Sequence, residues 1–202
     1  MSKASNLYHS LDALPASTRG SLLAIGNFDG VHLGHQAVIR QAREHADKLG
    51  CPLGVMLFNP HPRQFFAPDA PPFRLTRLPT RARLLAGLGV DLTLALPFDA
   101  DLAACPAPQF IDTILIDELE ISGVSVGHDF HFGKDRQGTP DMLHQRGAEA
   151  GFEVFVTPAL LQANNQAPYS SSAIRQLLRD GDVRAAAGLM GHSWSIEGRV
   201  NH

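Results

Sequence analysis

The chain has 202 residues, enough for one substantial core with an appended piece. A hydrophobic content of 44% and a charged content of 18% exclude a disordered chain, and a formal net charge of −3 supplies no whole-chain attraction for nucleic acid. Cys51 and Cys105 lie far apart and outside any CxxC pattern, so neither a zinc site nor a disulfide framework is suggested. The opening MSKASNLYHSLDALPASTRG lacks the apolar core of a signal peptide, and no apolar run is long enough to cross a membrane. A cytoplasmic protein without membrane association is expected.

Residues 1–20 read as an N-terminal extension. From Ser21 onward, short apolar runs alternate with amphipathic stretches. Ser21–Gly26, Leu53–Phe58, Leu92–Leu96, Ser122–Val126 and Glu153–Val156 predict strands. Gly34–Leu49, Thr80–Leu88, Gln109–Leu119, Pro140–Ala150 and Ser172–Asp180 predict helices. The first of these sets Ala37, Val38, Ala42 and Leu49 against Arg40, Arg43, Glu44 and Lys48, with Gly50 as its stop. Alternation of this kind predicts an α/β protein: a five-stranded parallel sheet with helices on both faces. Ligands of such sheets lie beyond the strand C-termini, where the strand order switches. The long irregular stretch Asn59–Thr76 is rich in Pro, Phe and Arg, and loops of that length are functional or mobile. Gly181–Leu189 predicts a short helix, and Ser193–Val200 alternates like the first strand of an incomplete C-terminal β-domain.

The segment GNFDGVHLGH, Gly26–His35, joins the first predicted strand to the first helix. Its three glycines permit a sharp turn and close backbone approach. A helix start favours an anion, and His32 and His35 bracket that start with ring N–H donors. The segment is neither a P-loop nor a GxGxxG fingerprint. Two other readings stand beside phosphate binding. The histidines could ligate a metal, although helical zinc pairs prefer i,i+4 spacing and no third ligand is near. They could also simply cap a turn.

Three later segments carry further candidates. FNPHPRQFF, Phe58–Phe66, supplies a proline-stiffened loop, a histidine and aromatic faces suited to stacking, or to covering the core. VGHDFHFG, Val126–Gly133, offers Asp129 as an acceptor for ribose or an aid to magnesium. In it, Phe130 and Phe132 alternate, so one enters the core and the other faces the pocket. YSSSAIRQLLRDGD, Tyr169–Asp182, sets an N-capping serine cluster before Arg175. A cation in a first helical turn opposes the dipole, which points to an anion there; the alternative is a surface arginine.

HxGH after the first strand resembles the signature of the nucleotidyltransferase superfamily. The longer GNFDGVHLGH resembles the FMN adenylyltransferase module of bacterial FAD synthetases, the bifunctional riboflavin kinase/FMN adenylyltransferases. The three later segments are similar to that family's Phe-x-Pro-His-Pro, Gly-x-Asp/Asn-Phe-x-Phe-Gly and Ser-Ser-Thr/Ser-x-Ile-Arg motifs, with Ser172 where threonine is common. SIEGRV resembles the start of the riboflavin kinase module, so the likeness runs from Ser21 to Val200. It implies a Rossmann-like nucleotidyltransferase fold, with an adenylyltransferase domain over 21–191. Residues 192–202 would be a linker and the start of a riboflavin kinase domain, covalently linked in the intact protein.

The implied reaction is ATP plus FMN giving FAD and pyrophosphate, with Mg2+ accompanying ATP and no protein-held metal. His32, His35 and Arg175 would be catalytic. ATP would be met by Gly26, Phe28, Gly30, His32, His35, Asp129, Ser171, Ser172 and Arg175, and FMN by Asn59, His61, Phe66 and Phe132. The partners would be these small molecules, not nucleic acid or membrane. A different phosphate acceptor, such as nicotinate mononucleotide, phosphopantetheine or glycerol phosphate, is an alternative. So is a flavin- or nucleotide-binding module without turnover, although a pure binder needs no donors aimed at a transition state.

Overall fold

The computed structural model describes residues 6–71, 74–162 and 167–197. Six parallel strands form one sheet in the order β1-β4-β3-β2-β5-β6. They are β1 (Leu7–Tyr8), β2 (Leu22–Ile25), β3 (Leu53–Asn59), β4 (Leu92–Pro97), β5 (Gly123–Gly127) and β6 (Glu153–Thr157). The helices are α1 (Leu33–Leu49), α2 (Pro62–Phe66), α3 (Leu78–Gly87), α4 (Ala100–Ala104), α5 (Ala107–Gln109, continuing through Phe110–Glu118), α6 (Pro140–Ala150), α7 (Ser171–Arg179) and α8 (Val183–Met190).

Central strands of a parallel sheet are buried on both faces, which is why β2 reads as an unbroken apolar run; all four of its residues are buried. On one face Leu22, Ala24, Val55 and Leu57 pack with Ile39, Ala42 and Ala46 of α1. On the other, Leu23, Ile25, Met56 and Val124 pack with Ile111 and Leu115 of α5 and Leu143 of α6. The expected α/β architecture is therefore present, and all five expected strands occur within a residue or two of their forecast ends.

Four features differ from expectation. The segment expected as an extension contributes a sixth strand, with Leu7 opposite Thr93 and Tyr8 opposite Leu94 at the sheet edge. The irregular stretch after β3 contains α2, started by His61, whose Nδ1 accepts from Arg63 N at 3.0 Å. Over Phe110–Glu118, α5 is wound as a π-helix, with Leu119 N donating to Ile114 O at 3.2 Å. Ser193–Glu197 forms no strand, and Gly198–Val200, the rest of the expected strand, lies outside the described residues.

The chain leaves β2 toward β3 and β4 on one side and returns to β5 and β6 on the other. The crevice at the C-terminal ends of β2 and β5 is thus the switch point of the sheet. The turn carrying both motif histidines starts there, and so does the loop from Gly127 to Gly133.

Candidate functional site

The turn after β2 is tightly wound. Phe28 and Val31 occupy the left-handed backbone region at φ +47° and +42°. For a β-branched residue such as Val31 this is a strained state that the surroundings must impose. Val31 is buried, its N–H donates to Phe28 O at 3.1 Å, and its carbonyl accepts from Gln36 Nε2 at 3.0 Å. Gly30, at φ +86°, holds a backbone state that strains any other residue, and a Cβ there would lie 2.8 Å from Leu75 Cδ1, which would have to shift. At Gly34 a Cβ would lie 3.1 Å from both the His32 ring and Tyr169 Cβ, so the starts of α1 and α7 meet there.

His32 is the N-cap of α1, its Nδ1 accepting from His35 N at 3.3 Å. A ring nitrogen that accepts a backbone N–H carries no proton, so the proton of neutral His32 sits on Nε2. The two imidazoles stack with centroids 3.5 Å apart at 19°, and Phe28 meets His35 edge-on at 5.3 Å. Burial pulls the His32 pKa down to about 4, with the nearby Asp29 charge opposing and Arg175 adding to the fall. Burial drives His35 well below the ordinary histidine value, aided by His32, Arg81 and Arg175. Both rings are therefore neutral donors near pH 7. His35 Nδ1 is a buried polar atom with no hydrogen-bond partner among the described residues. The capping reading of the pair is correct for His32, and it leaves Nε2–H available as chemistry requires.

Asp29 lies at the centre of the site and is only 2% exposed. Its carboxylate accepts from Leu75 N, Thr76 N and Thr76 Oγ1, from Arg81 Nη2 at 2.9 Å and from Arg175 Nη2 at 2.8 Å. Burial alone would raise its pKa, but Arg81, the two amides and Arg175 together hold it below the usual carboxylate value. Arg81 also donates to Asn27 O at 2.8 Å and to Thr76 O at 3.0 Å. The sequence alone assigns no role to Asp29 or Arg81. Nothing local marks a bond between positions 52 residues apart, although an aspartate inside a glycine-rich turn was a signal.

Two residues of the serine–arginine segment already have partners within the chain. Arg175 pairs with the Asp29 carboxylate. Ser171 donates its hydroxyl to Asp29 O at 2.9 Å. With its single proton so used, it positions the Asp29 backbone instead of donating to a phosphate in this conformation. The cap of α7 is Ser170, which accepts from Ala173 N at 3.2 Å, and Ser172 is exposed.

The remaining expected residues ring the crevice. Gly26 ends β2, Asn59 ends β3, and His61 starts α2 half-buried, its pKa lowered to about 4 chiefly by burial. Asp129 is exposed in the loop after β5. Phe132 is the member of its pair that enters the core, 5% exposed, while Phe130 stacks on it at 5.4 Å from a half-buried position. Phe66 is 69% exposed. Ring contacts link these residues into a track. Phe65 and Phe66 meet Phe98 at 5.3 and 5.9 Å, Phe98 meets Phe58 at 5.8 Å, and Phe110 meets Phe132 at 5.5 Å. Phe98 and Phe110 escaped the sequence reading because neither lies in a motif; each joins the track only through folding.

Among the described residues, no group of three or more His, Cys, Asp or Glu converges on a metal position. The metal reading of the histidine pair therefore lacks ligands there.

Comparison with known proteins agrees with this geometry. Residues 14–173 match the family model for FAD synthetase. The bifunctional riboflavin kinase/FMN adenylyltransferase of Escherichia coli is 41% identical over 194 residues, spanning 96% of this chain and 61% of that protein. Its Pseudomonas fluorescens counterpart is 41% identical over 97% of this chain and 62% of its own length. The Haemophilus influenzae one is 40% identical over 91% and 59%. The chain thus spans about three fifths of the length of these relatives. The crystal structure of a macrolide-efflux protein from Streptococcus pneumoniae superposes with a TM-score of 0.79 at 26% identity, covering 93% of this chain and 60% of that one. That likeness bears on the fold; efflux is said of that protein, and no helix among the described residues is long and apolar enough to cross a membrane. A strained turn with two neutral imidazoles at a sheet switch point, and a family model matched over most of the chain, lead to one conclusion: the chain belongs to the FAD synthetase family.

Proposed function

We propose that this chain is an FMN adenylyltransferase, making FAD and pyrophosphate from ATP and FMN. A phosphate oxygen of FMN attacks the α-phosphorus of ATP in line, the bond to the β-phosphate oxygen breaks, and pyrophosphate leaves. Such chemistry needs positioning and donors aimed where charge grows rather than a protein nucleophile. The observation that carries the reading is the His32–His35 stack at the start of α1: two neutral rings, one with its proton fixed on Nε2, beside the start of α7.

In this reading His32 and His35 donate to the phosphoryl oxygens of ATP at the reacting end. The pyrophosphate end lies against the α7 start, with Ser171, Ser172 and Arg175 about it. Gly26, Phe28 and Gly30 form the wall against the nucleotide, and Asp129 faces the ribose. His61 lies close enough to Asp29, Arg81 and Arg175 to feel their charges, which suits a contact with the FMN phosphate. Asn59, Phe66 and the aromatic track through Phe98 to Phe132 suit an isoalloxazine ring. That track favours a flavin over the smaller acceptors. Mg2+ would accompany ATP; the Asp29 carboxylate, held by amides and guanidiniums, is not offered to it. Residues 21–191 would then be the adenylyltransferase module, and 192–202 the approach to a riboflavin kinase domain in a longer protein.

The test is FMN-dependent pyrophosphate release from ATP, with FAD followed by chromatography. Release with nicotinate mononucleotide but not FMN would reassign the acceptor. Tight FMN binding with no release from any acceptor would make the chain a binding module.

A further inference from the structure

The segment after α8 is bound to the nucleotide turn by several contacts at once. His192 Nε2 lies 2.9 Å from the carbonyl of Gly30 and Nδ1 3.1 Å from that of the adjacent Ser193; a carbonyl only accepts, and the Nε2–H tautomer, on the shorter contact, donates to Gly30. Trp194 Nε1 donates to Leu75 O at 2.9 Å. Leu75 in turn gives its N–H to the Asp29 carboxylate. Further on, Glu197 accepts from Thr80 Oγ1 at 2.6 Å and pairs with Arg83, and its carbonyl accepts from Arg77. Gln36 Nε2 adds a tie between the end of α8, at Met190 O, and Val31 O.

These contacts fall on the two backbone positions that matter most to the site. The Gly30 carbonyl is one peptide from Val31, whose left-handed backbone aims His32. The Leu75 peptide is part of the cage round Asp29, to which Arg81 and Arg175 are both anchored. The FAD synthetase model ends at residue 173, so this strap lies outside the matched span.

We propose that His192 and Trp194 are positioning residues for adenylyl transfer, acting through Gly30 and Leu75. The strap clamps the strained turn in the geometry that the His32–His35 stack needs. This rests on the reaction proposed above for its kinetic readout, and on backbone exchange for a readout independent of it.

The experiment compares His192→Ala, His192→Gln and Trp194→Phe with Ile196→Ala. Ile196 is on the same strap, 81% exposed, and serves as the control. Each variant is assayed for pyrophosphate release and for amide hydrogen exchange by mass spectrometry. Loss of one donor at a strained turn should lower kcat roughly tenfold in His192→Ala, with KM for ATP within about threefold. His192→Gln, which keeps a donor, should recover most of that loss. Trp194→Phe, which keeps the ring and loses the N–H, should lower kcat about threefold. Exchange should quicken in the peptides holding Gly30–His35 for His192→Ala and Leu75–Thr76 for Trp194→Phe, and nowhere else. The proposal is overturned if kcat stays within twofold and exchange is unchanged. It is also overturned if exchange quickens across the whole chain and His192→Gln rescues nothing, since the strap would then supply only general stability. Should the unaltered chain release no pyrophosphate, the reaction assignment falls, and local against global exchange still decides whether the strap grips the turn.

Discussion

The two halves of the crevice are built on opposite plans. Around Gly26–His35, buried charges and directed hydrogen bonds fix the Asp29 carboxylate and the tautomer of His32. Along the aromatic track, contact is made by ring faces and edges, and Phe66 stands mostly in solvent. The difference fits the roles proposed for the two sides. Donors that meet a transition state act only if they are fixed in advance, whereas a flat ring ligand is held by stacking, which tolerates adjustment.

The sharpest way to break the rigid half is Asp29→Ala. Removing one partner of a buried ion pair strands Arg81 and Arg175, so unfolding in urea should show a loss of about 3–5 kcal/mol. A loss below about 1 kcal/mol would mean that the cage relaxes and the guanidiniums find other acceptors. Next comes His35→Ala, with a fall in kcat of roughly 10² to 10³, about 3–4 kcal/mol of transition-state stabilisation, and little change in thermal midpoint. A fall of less than tenfold would take His35 off the list of catalytic groups.

The pH dependence follows from His32. Its folded pKa of about 4 lies below the ordinary 6.5, so the unfolded chain takes up a proton first. Its stabilising contribution is complete above pH 6.5 and is lost as pH falls toward 4, by up to about 3 kcal/mol. His61, with the same direction and more exposure, adds a smaller amount over the same window. Asp29, whose pKa is depressed, keeps its contribution until the pH drops below the usual carboxylate range. Urea midpoints at pH 7 and pH 5 should therefore differ, and His32→Asn should shrink that difference, the remainder resting on His35 and His61, whose pKa values are lowered in the same direction. The smallest effect belongs to the adaptable half. Phe66→Ala should raise KM for FMN about fivefold through lost stacking, with KM for ATP and stability unchanged. An equal rise for both substrates would contradict the separation of the two halves.

What the sequence disclosed tracks how local each feature is. The turn glycines, the histidine spacing and the serine cap are chain-local, and all were legible. So were the buried strands, because runs such as Leu22–Ile25 carry their signal in consecutive residues. Strand β1 has two residues, too few for any alternation to register, and its place comes from pairing with Thr93 and Leu94. The dipole argument points to an anion near Arg175, but the Asp29 carboxylate that pairs with it lies 146 residues away in the chain and leaves no local signal. The strap was read as a strand from its alternation. Its polar side chains instead find partners on the turn and on α3, and such pairing overrides a short periodic signal.

One imidazole, His32, starts a helix and, in the proposed reaction, also offers its ring N–H to a phosphate. Asparagine starts helices at least as well and cannot reproduce the ring stack on His35. The two duties can thus be separated by a single exchange, giving a sound scaffold that loads both substrates and then stalls. A stalled chain of this kind would allow the loaded state to be captured and seen directly before any bond is made.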